Sequence, residues 1–459
     1  MCGLFGIYNI KEAVDYTYFG LYSLQHRGQE SAGIAVWNGK RIEEYKNLGL
    51  VSEVFKSENI KRLKGHIAIG HVRYSTTGSS VIQNAQPFCV NFAKNMLALA
   101  HNGNIVNAYK LRVSLEDKGH IFQTTMDSEI IMHLIVRNLK KGLIYAISET
   151  MKVLKGAYSV LLLYNDNLVA FRDPWGFRPL CLGILEKGYV LASETCAFDL
   201  IGAQYIRDIN PGEILLINEN GIESYYPFEN QEFKKSFCVF EFIYFARPDS
   251  IIFTKSVYPI RKALGINLYK ECPISADFVM PFPDSGNYAA IGYAQASKLP
   301  LEFGMIRNHY IGRTFIQPSA KIRDISVRMK LNPVKEILKN KEIIIIDDSL
   351  VRGTTSKNRI KSIKLAGAKK IHFLLSCPPI KYPCFFGIDF PSKAELIANQ
   401  LSVEEIRKYL NIDTLYYLSV DGLLSALGED LKDKVCLACF TGEYPLEVDF
   451  SLRKDIAEV

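Results

Sequence analysis

The sequence predicts an α/β protein of two units: sheets packed with helices over residues 1–230, then a unit with a parallel sheet over residues 231–459. Three observations carry this expectation. At 459 residues the chain is longer than the roughly 250 to 300 residues at which a single hydrophobic core stops growing. Short β-branched and aromatic runs bounded by Gly, Asn and Asp crowd the first half, whereas strand and helix signals alternate in the second. The polar stretch PFENQEFKKSF at 227–237 interrupts the strand pattern and marks the junction.

In the first unit the strand candidates are 33–37, 67–73, 96–100, 157–164, 168–172, 189–192 and 213–217. One helix stands out among them, with Asp127 placed to cap its N-terminus and Ile130, Ile131, Leu134 and Ile135 forming one apolar face. In the second unit, strand candidates 278–281, 342–346 and 371–375 are separated by helical segments, the pattern of βαβ units in a parallel sheet.

Composition narrows the function. Hydrophobic residues make up 48% and charged residues 22%, which fits a folded globular chain and excludes a disordered one. Lys and Arg exceed Asp and Glu by 55 to 48, without a basic block or zinc-finger spacing, so phosphorylated small molecules are expected as ligands and nucleic acid is not. No apolar run reaches the ~18 residues of a membrane span and no leader precedes MCGLFG, so a cytoplasmic protein without membrane contact is expected. The ten cysteines do not form the dense framework of a small secreted domain and need individual explanations.

Cys2 is followed by Gly3-Leu4-Phe5-Gly6. Removal of the initiator methionine would make Cys2 the terminus, with a thiol and a free amine on one residue. Such an amine titrates near about 7.7–8.0 and can take the thiol proton, and the thiolate is the attacking species. HNGN at 101–104 follows a hydrophobic strand candidate, so that an amide side chain and a backbone N–H can face one oxyanion. Arg73 ends another strand and Asp127 starts a helix; as a pair they suit the carboxylate and amine of a free amino acid, while singly Arg73 also reads as a surface ion pair and Asp127 more readily as a cap.

These segments, together with SLQHRGQESAG at 23–33, GHVRYSTTG at 70–78 and SETCAFD at 193–199, resemble the glutaminase domain of amidotransferases with an N-terminal nucleophile. The resemblance implies a four-layer αββα fold of the Ntn-hydrolase kind. It also implies Cys2 as nucleophile, Asn102 and Gly103 as oxyanion donors, Arg73 and Asp127 as clamps on glutamine, and Arg27 as support for the pocket.

EIIIIDDSLVRGTTS at 342–356 is the most specific motif of the chain. Four isoleucines read as a buried parallel strand, Asp347 and Asp348 stand at its carboxyl end, and a Gly-Thr-Thr-Ser turn opens a helix carrying Ile360 and Ile363. Backbone N–H groups at that helix start suit a phosphate, and the two carboxylates suit ribose hydroxyls or magnesium. The motif resembles the type I phosphoribosyltransferase signature, which carries 5-phosphoribosyl diphosphate. The resemblance implies that Ser349, Arg352, Gly353, Thr354, Thr355 and Ser356 wrap the sugar phosphate. It also implies that Asp347, Asp348 and Ser285, the last in a Pro-Asp-Ser-Gly loop at 283–286, lie near Mg2+. The basic segment 307–334 resembles the loop of this family that closes over the diphosphate, with His309 where Arg is usual.

Cys436 and Cys439 form a Cys-x-x-Cys pair, by itself ambiguous between redox chemistry, zinc and coincidence. Cys238 and Cys384 stand in segments resembling the iron–sulfur branch of the glutamine amidophosphoribosyltransferases. Four thiolates can hold a [4Fe–4S] cluster or zinc, and the resemblance implies the cluster. Cys89, Cys181, Cys196, Cys272 and Cys377 match no ligand spacing and read as buried apolar side chains.

The resemblance to that family covers nearly the whole chain. It implies that glutamine and phosphoribosyl diphosphate are the substrates, that ammonia passes internally between two sites, that purine nucleotides inhibit, and that the assembly is a homotetramer. Asparagine synthetases would carry an SGG-type ATP loop, and sugar-phosphate aminotransferases isomerase domains. A regulator that binds DNA would carry a helix-turn-helix where this chain has Cys2. An iron–sulfur redox sensor would leave both ligand loops idle.

Overall fold

The computed structural model describes residues 1–75, 78–229, 231–308, 331–390 and 392–449. His309 and nearly all of the basic segment expected to close over the diphosphate lie outside the described residues; only its flanks are seen, paired antiparallel as Met305–Arg307 with Leu331–Pro333.

Two antiparallel sheets stack in the first unit. The strand Gly3–Tyr8 is fourth of seven in one sheet, hydrogen-bonded to Ile67–Arg73 on one side and Gly188–Ala192 on the other. The other sheet has six strands, with Gly156–Tyr164 and Asn95–Ile105 adjacent near one edge. Because side chains alternate along a strand, Leu4 and Tyr8 pack between the sheets against Ala98, Ala100, Leu161 and Leu163. Phe5 and Ile7 instead face helices Ala13–Ser23 and Cys196–Ile201. On the far side, Leu99, Val160 and Leu162 pack on Ile130, Ile131 and Ile135 of helix Asp127–Asn138 and on Ile147 of helix Leu143–Val153. The layers therefore run helix, sheet, sheet, helix, the αββα arrangement expected. Burial on both faces makes Gly3–Tyr8 a rigid base that carries Cys2 at its start.

The second unit is a parallel sheet in the order Phe278–Pro281, Glu342–Asp347, Lys370–Leu375, Thr414–Tyr417. Ile344 and Ile346 pack toward helices Val257–Glu271 and Asn287–Ser297. Ile343 and Ile345 pack toward helices Thr354–Leu365 and Val403–Leu410. The isoleucine run thus lies at the centre of three layers, and each buried side chain contributes roughly 1.5–3 kcal/mol to fixing Asp347 at the strand end. No helix among the described residues is long and apolar enough to cross a membrane.

Three expectations need correction. HNGN does not follow a strand: Asn95–Ile105 continues through it, with Asn102 opposite Ser159 and Gly103 opposite Tyr158. Asp127 is not the N-cap, a position held by Met126, but the first helical residue, with its carboxylate turned inward. Of the five cysteines read as buried, Cys181, Cys196 and Cys377 are buried, whereas Cys89 and Cys272 are only partly so.

Candidate active site

The first centre gathers around Cys2. Its N–H donates to Asn102 Oδ1 at 3.1 Å, its thiol donates to the Tyr74 carbonyl at 3.5 Å, and its own carbonyl accepts from Arg27 Nε at 3.0 Å. Held by its oxygen, the Asn102 amide leaves Nδ2 fully buried and without a hydrogen-bond partner. An orphaned buried donor costs about 1–3 kcal/mol, so the arrangement suits an acceptor that arrives with a ligand. Beside it Gly103 allows no side chain, since a Cβ there would sit 1.9 Å from the Ala157 carbonyl oxygen and 2.8 Å from His101 Nε2. Burial pushes the Cys2 thiol up, against the lowering pull of the adjacent terminal amine and of Arg73.

Arg73 lies buried at its strand end, donating to the carbonyls of Gly78 and Ser79 at 3.0 Å each. Asn84 ties Ser79 to Thr125, two residues before Asp127, so the Arg73 and Asp127 segments are laced into one pocket wall. Asp127 Oδ2 accepts from Ile105 N at 2.9 Å and Oδ1 lies 3.6 Å from His101 Nδ1. Burial alone would raise this carboxyl, but the His101 ring and the N–H of Ile105 hold it below the usual carboxylate range. Arg27 is fully buried between Glu194 and Glu241, with Nη2 2.8 Å from Glu241 Oε1. The paired carboxylates are what make a buried guanidinium tolerable there.

The second centre is a cleft at the carboxyl end of the parallel sheet, lined by Ser285 and the whole loop from Asp347 to Ser356. Ser285 Oγ donates to Asp347 Oδ1 at 2.8 Å, and Asp348 N donates to the same oxygen at 3.0 Å. Burial, then the neighbouring Asp348, push the Asp347 carboxyl well above its ordinary range, against Arg359, whose Nη1 is 3.5 Å from Oδ2. Gly353, at φ +77°, turns the loop into helix Thr354–Leu365 so that Thr354 and Thr355 form its first turn. Arg352 points outward and pairs with Glu395 at 3.0 Å.

A third feature lies between them. Strand Phe237–Cys238 pairs in parallel with Val435–Cys436, which sets Cys238 opposite Cys436. Cys238, Cys384, Cys436 and Cys439 line one cavity together with Arg178 and apolar side chains. Residues 385–390 then run from this cavity past the first centre, where Asn104 Nδ2 donates to the Phe385 carbonyl at 3.0 Å, into the wall of the cleft.

The structure therefore brings the predicted residues into three groups. Sequence reasoning missed Glu194 and Glu241, which hold Arg27, as well as Arg178, Arg359 and Tyr74; Tyr74 borders both the Cys2 thiol and the cleft at the parallel sheet. Tyr74 was within reach, because it follows Arg73 directly in the quoted GHVRYSTTG segment.

An αββα unit built around Cys2, joined to a parallel sheet with Asp347 and Asp348 at its carboxyl edge, is the architecture of a glutamine-dependent glycosyltransferase. A family model described as a glutamine amidotransferase domain matches residues 71–199. The amidophosphoribosyltransferase of Methanocaldococcus jannaschii is 48% identical, the match covering 98% of each chain. The solved structure of glutamine phosphoribosylpyrophosphate amidotransferase from Bacillus subtilis, complexed with ADP and GMP, superposes with a TM-score of 0.92 at 47% identity, covering 98% of both chains. A second structure, described as the allosteric regulatory enzyme of purine biosynthesis, superposes at 0.93 with 47% identity over 98% of this chain and 97% of that one. The chain belongs to the amidophosphoribosyltransferase family.

Proposed function

We propose that the chain releases ammonia from glutamine at Cys2 and transfers it to C1 of 5-phosphoribosyl diphosphate. The products are glutamate, 5-phosphoribosylamine and diphosphate, and the reaction opens purine biosynthesis. The observation that carries this reading is the buried, unpartnered Asn102 Nδ2 beside Cys2. Once Met1 is removed, the nitrogen bonded to Asn102 becomes an amine. In the present chain burial lowers the Met1 amine to about 5; burial of a Cys2 amine would likewise favour its uncharged form, the form that can accept a proton. It takes the thiol proton, the thiolate attacks the glutamine carboxamide, and Asn102 Nδ2 with the Gly103 N–H receives the developing oxyanion. The carbon–nitrogen bond breaks, ammonia leaves with the stored proton, and water hydrolyses the thioester. Arg73 and Asp127 hold the two charged ends of the amino acid, and Arg27 fixes the Cys2 carbonyl.

In the cleft, Ser349 and the segment from Arg352 to Ser356 hold the sugar phosphate, with N–H groups of the helix start directed at it. Ser285, Asp347 and Asp348 supply hard oxygen donors that fit Mg2+, and the strained Asp347 carboxyl favours a cation beside it. When bound, Mg2+ would neutralise the departing diphosphate. The unprotonated ammonia needs a route away from bulk water; residues 385–390 and Tyr74, which touch both centres, support a short internal one. Supplied with both substrates and Mg2+, the protein should form glutamate and diphosphate in equal amounts; glutamate production with the sugar diphosphate left intact would overturn the reading.

The four-thiol cavity fits a [4Fe–4S] cluster. Cys238, Cys384, Cys436 and Cys439 border a common space, a donor set that would suit a cluster or zinc and that the family resemblance assigns to the cluster, and Arg178, on the same wall, retains an unpartnered Nη2. The cluster would tie the junction strand, the loop at Cys384 and the tail together. Anaerobically purified protein should be brown with about four irons per chain; a colourless protein containing zinc would reject this assignment. A cytoplasmic homotetramer inhibited by purine nucleotides completes the proposal, its nucleotide part supported by the ADP and GMP complex of the Bacillus relative.

A further inference from the structure

Arg178 is fully buried and its donors are unevenly used. Nε donates to the Phe386 carbonyl at 2.8 Å, and Nη1 faces Glu241 Oε1 at 3.4 Å and the Met1 sulfur. Nη2 has no partner in the protein, although the residue lines the cavity of the four cysteines. A planar guanidinium anchored on two sides cannot swing to find another acceptor, so the missing one has to come from what fills the cavity.

From this we infer that Arg178 is a positioning residue shared by the cluster and the glutaminase centre: Nη2 donates to a cluster sulfur, while Nη1 shares the Glu241 carboxylate with Arg27. The inference rests on the cluster reading above. Arg27 in turn holds the Cys2 carbonyl at 3.0 Å, so a continuous buried chain of charges runs from the cysteine cavity to the nucleophile. A cluster held by four thiolates is anionic, and each added electron deepens that charge. A fixed guanidinium hydrogen-bonded to its sulfur favours the reduced form and raises the potential, as hydrogen bonds to cluster sulfurs do. Glu241 acts in the opposite sense, because it takes part of the Arg178 charge.

The test uses full-length protein prepared anaerobically, as wild type, Arg178→Gln, Arg178→Lys and Glu241→Gln. Iron and acid-labile sulfide are measured first: wild type without them sinks the cluster reading itself, independently of Arg178. With the cluster present, dye-mediated titration should show a more negative midpoint potential and an altered visible absorption for Arg178→Gln. Arg178→Lys should restore most of the wild-type value because it keeps the charge. Glu241→Gln should shift the potential in the positive direction, and it decides the question alone if Arg178→Gln loses its cluster or fails to fold. Potentials equal to wild type in the variants that retain iron would overturn the inference.

Discussion

Cys2→Ala will abolish glutamine-dependent formation of phosphoribosylamine while leaving formation from ammonia at high pH near the wild-type rate. The sulfur makes one weak polar contact, to the Tyr74 carbonyl at 3.5 Å, whereas the contacts that place residue 2 use its backbone N–H and carbonyl. Alanine keeps both, so the pocket stands and only the nucleophile is lost. Removing the nucleophile of an acyl-transfer site costs on the order of 10⁴-fold or more in turnover. The cleft with Asp347 and Asp348 lies on a different sheet and keeps its geometry, so ammonia supplied from outside still meets the sugar carbon. Steady-state assays with each nitrogen source decide it. A parallel loss of both activities would show that the two centres do not divide the reaction as proposed.

Asp347→Asn should do the reverse, ending transfer from either nitrogen source while stabilising the ligand-free protein. Burial and the neighbouring Asp348 raise the Asp347 carboxyl well above its ordinary range, which means that ionised Asp347 opposes folding. The sign follows from linkage. A carboxyl with a folded pKa above its unfolded value near ~3.9 favours the native state most below that pH, and this contribution is lost as pH rises toward the folded pKa. Asparagine removes the penalty and can still accept from Ser285 Oγ and Asp348 N, although Arg359 loses its partner. A gain of about 1 kcal/mol is expected at neutral pH, roughly 2–4 °C in the Tm of the unit concerned, shrinking toward zero near pH 4. Transfer should fall by ~10²-fold or more, because a cation-holding oxygen is gone. Melting curves across pH, with ammonia-dependent rates, check both halves; a variant less stable than wild type at pH 7 would contradict the strain assigned to Asp347.

The parallel unit was legible because its signal is local. Four isoleucines in a row can satisfy two buried faces only as a central strand, and the residues after such a strand must stand at the sheet edge where ligands bind. The strand Ile42–Leu48, with the sequence IEEYKNL, escaped notice because it is an edge strand with charged residues facing out. Gly3–Tyr8 escaped for the opposite reason: buried on both faces and interrupted by Gly6, it shows no alternation. Of the buried ion chain of Glu194, Arg27, Glu241 and Arg178 only Arg27 was named, from the resemblance, and none of its ion pairs could be read. Its members are scattered along the sequence, each looks like an ordinary surface charge, and only the stacked sheets and the junction bring them together. The pairing of Cys238 with Cys436 rests on a ladder two residues long, too short for any periodicity to announce it.

The loop that begins at Cys384 has one more property. At Gly387, φ +103°, an added Cβ would lie 3.1–3.2 Å from the backbone of Gly103, so two main chains rest directly on one another there. One end of that loop belongs to the thiol-lined space and the other, through Asp389, to the wall of the cleft. A methyl group at this position would act as a wedge felt at once by the Gly103 backbone, the thiol-lined space and the cleft wall, so the spacing between the halves is set once, when the chain folds.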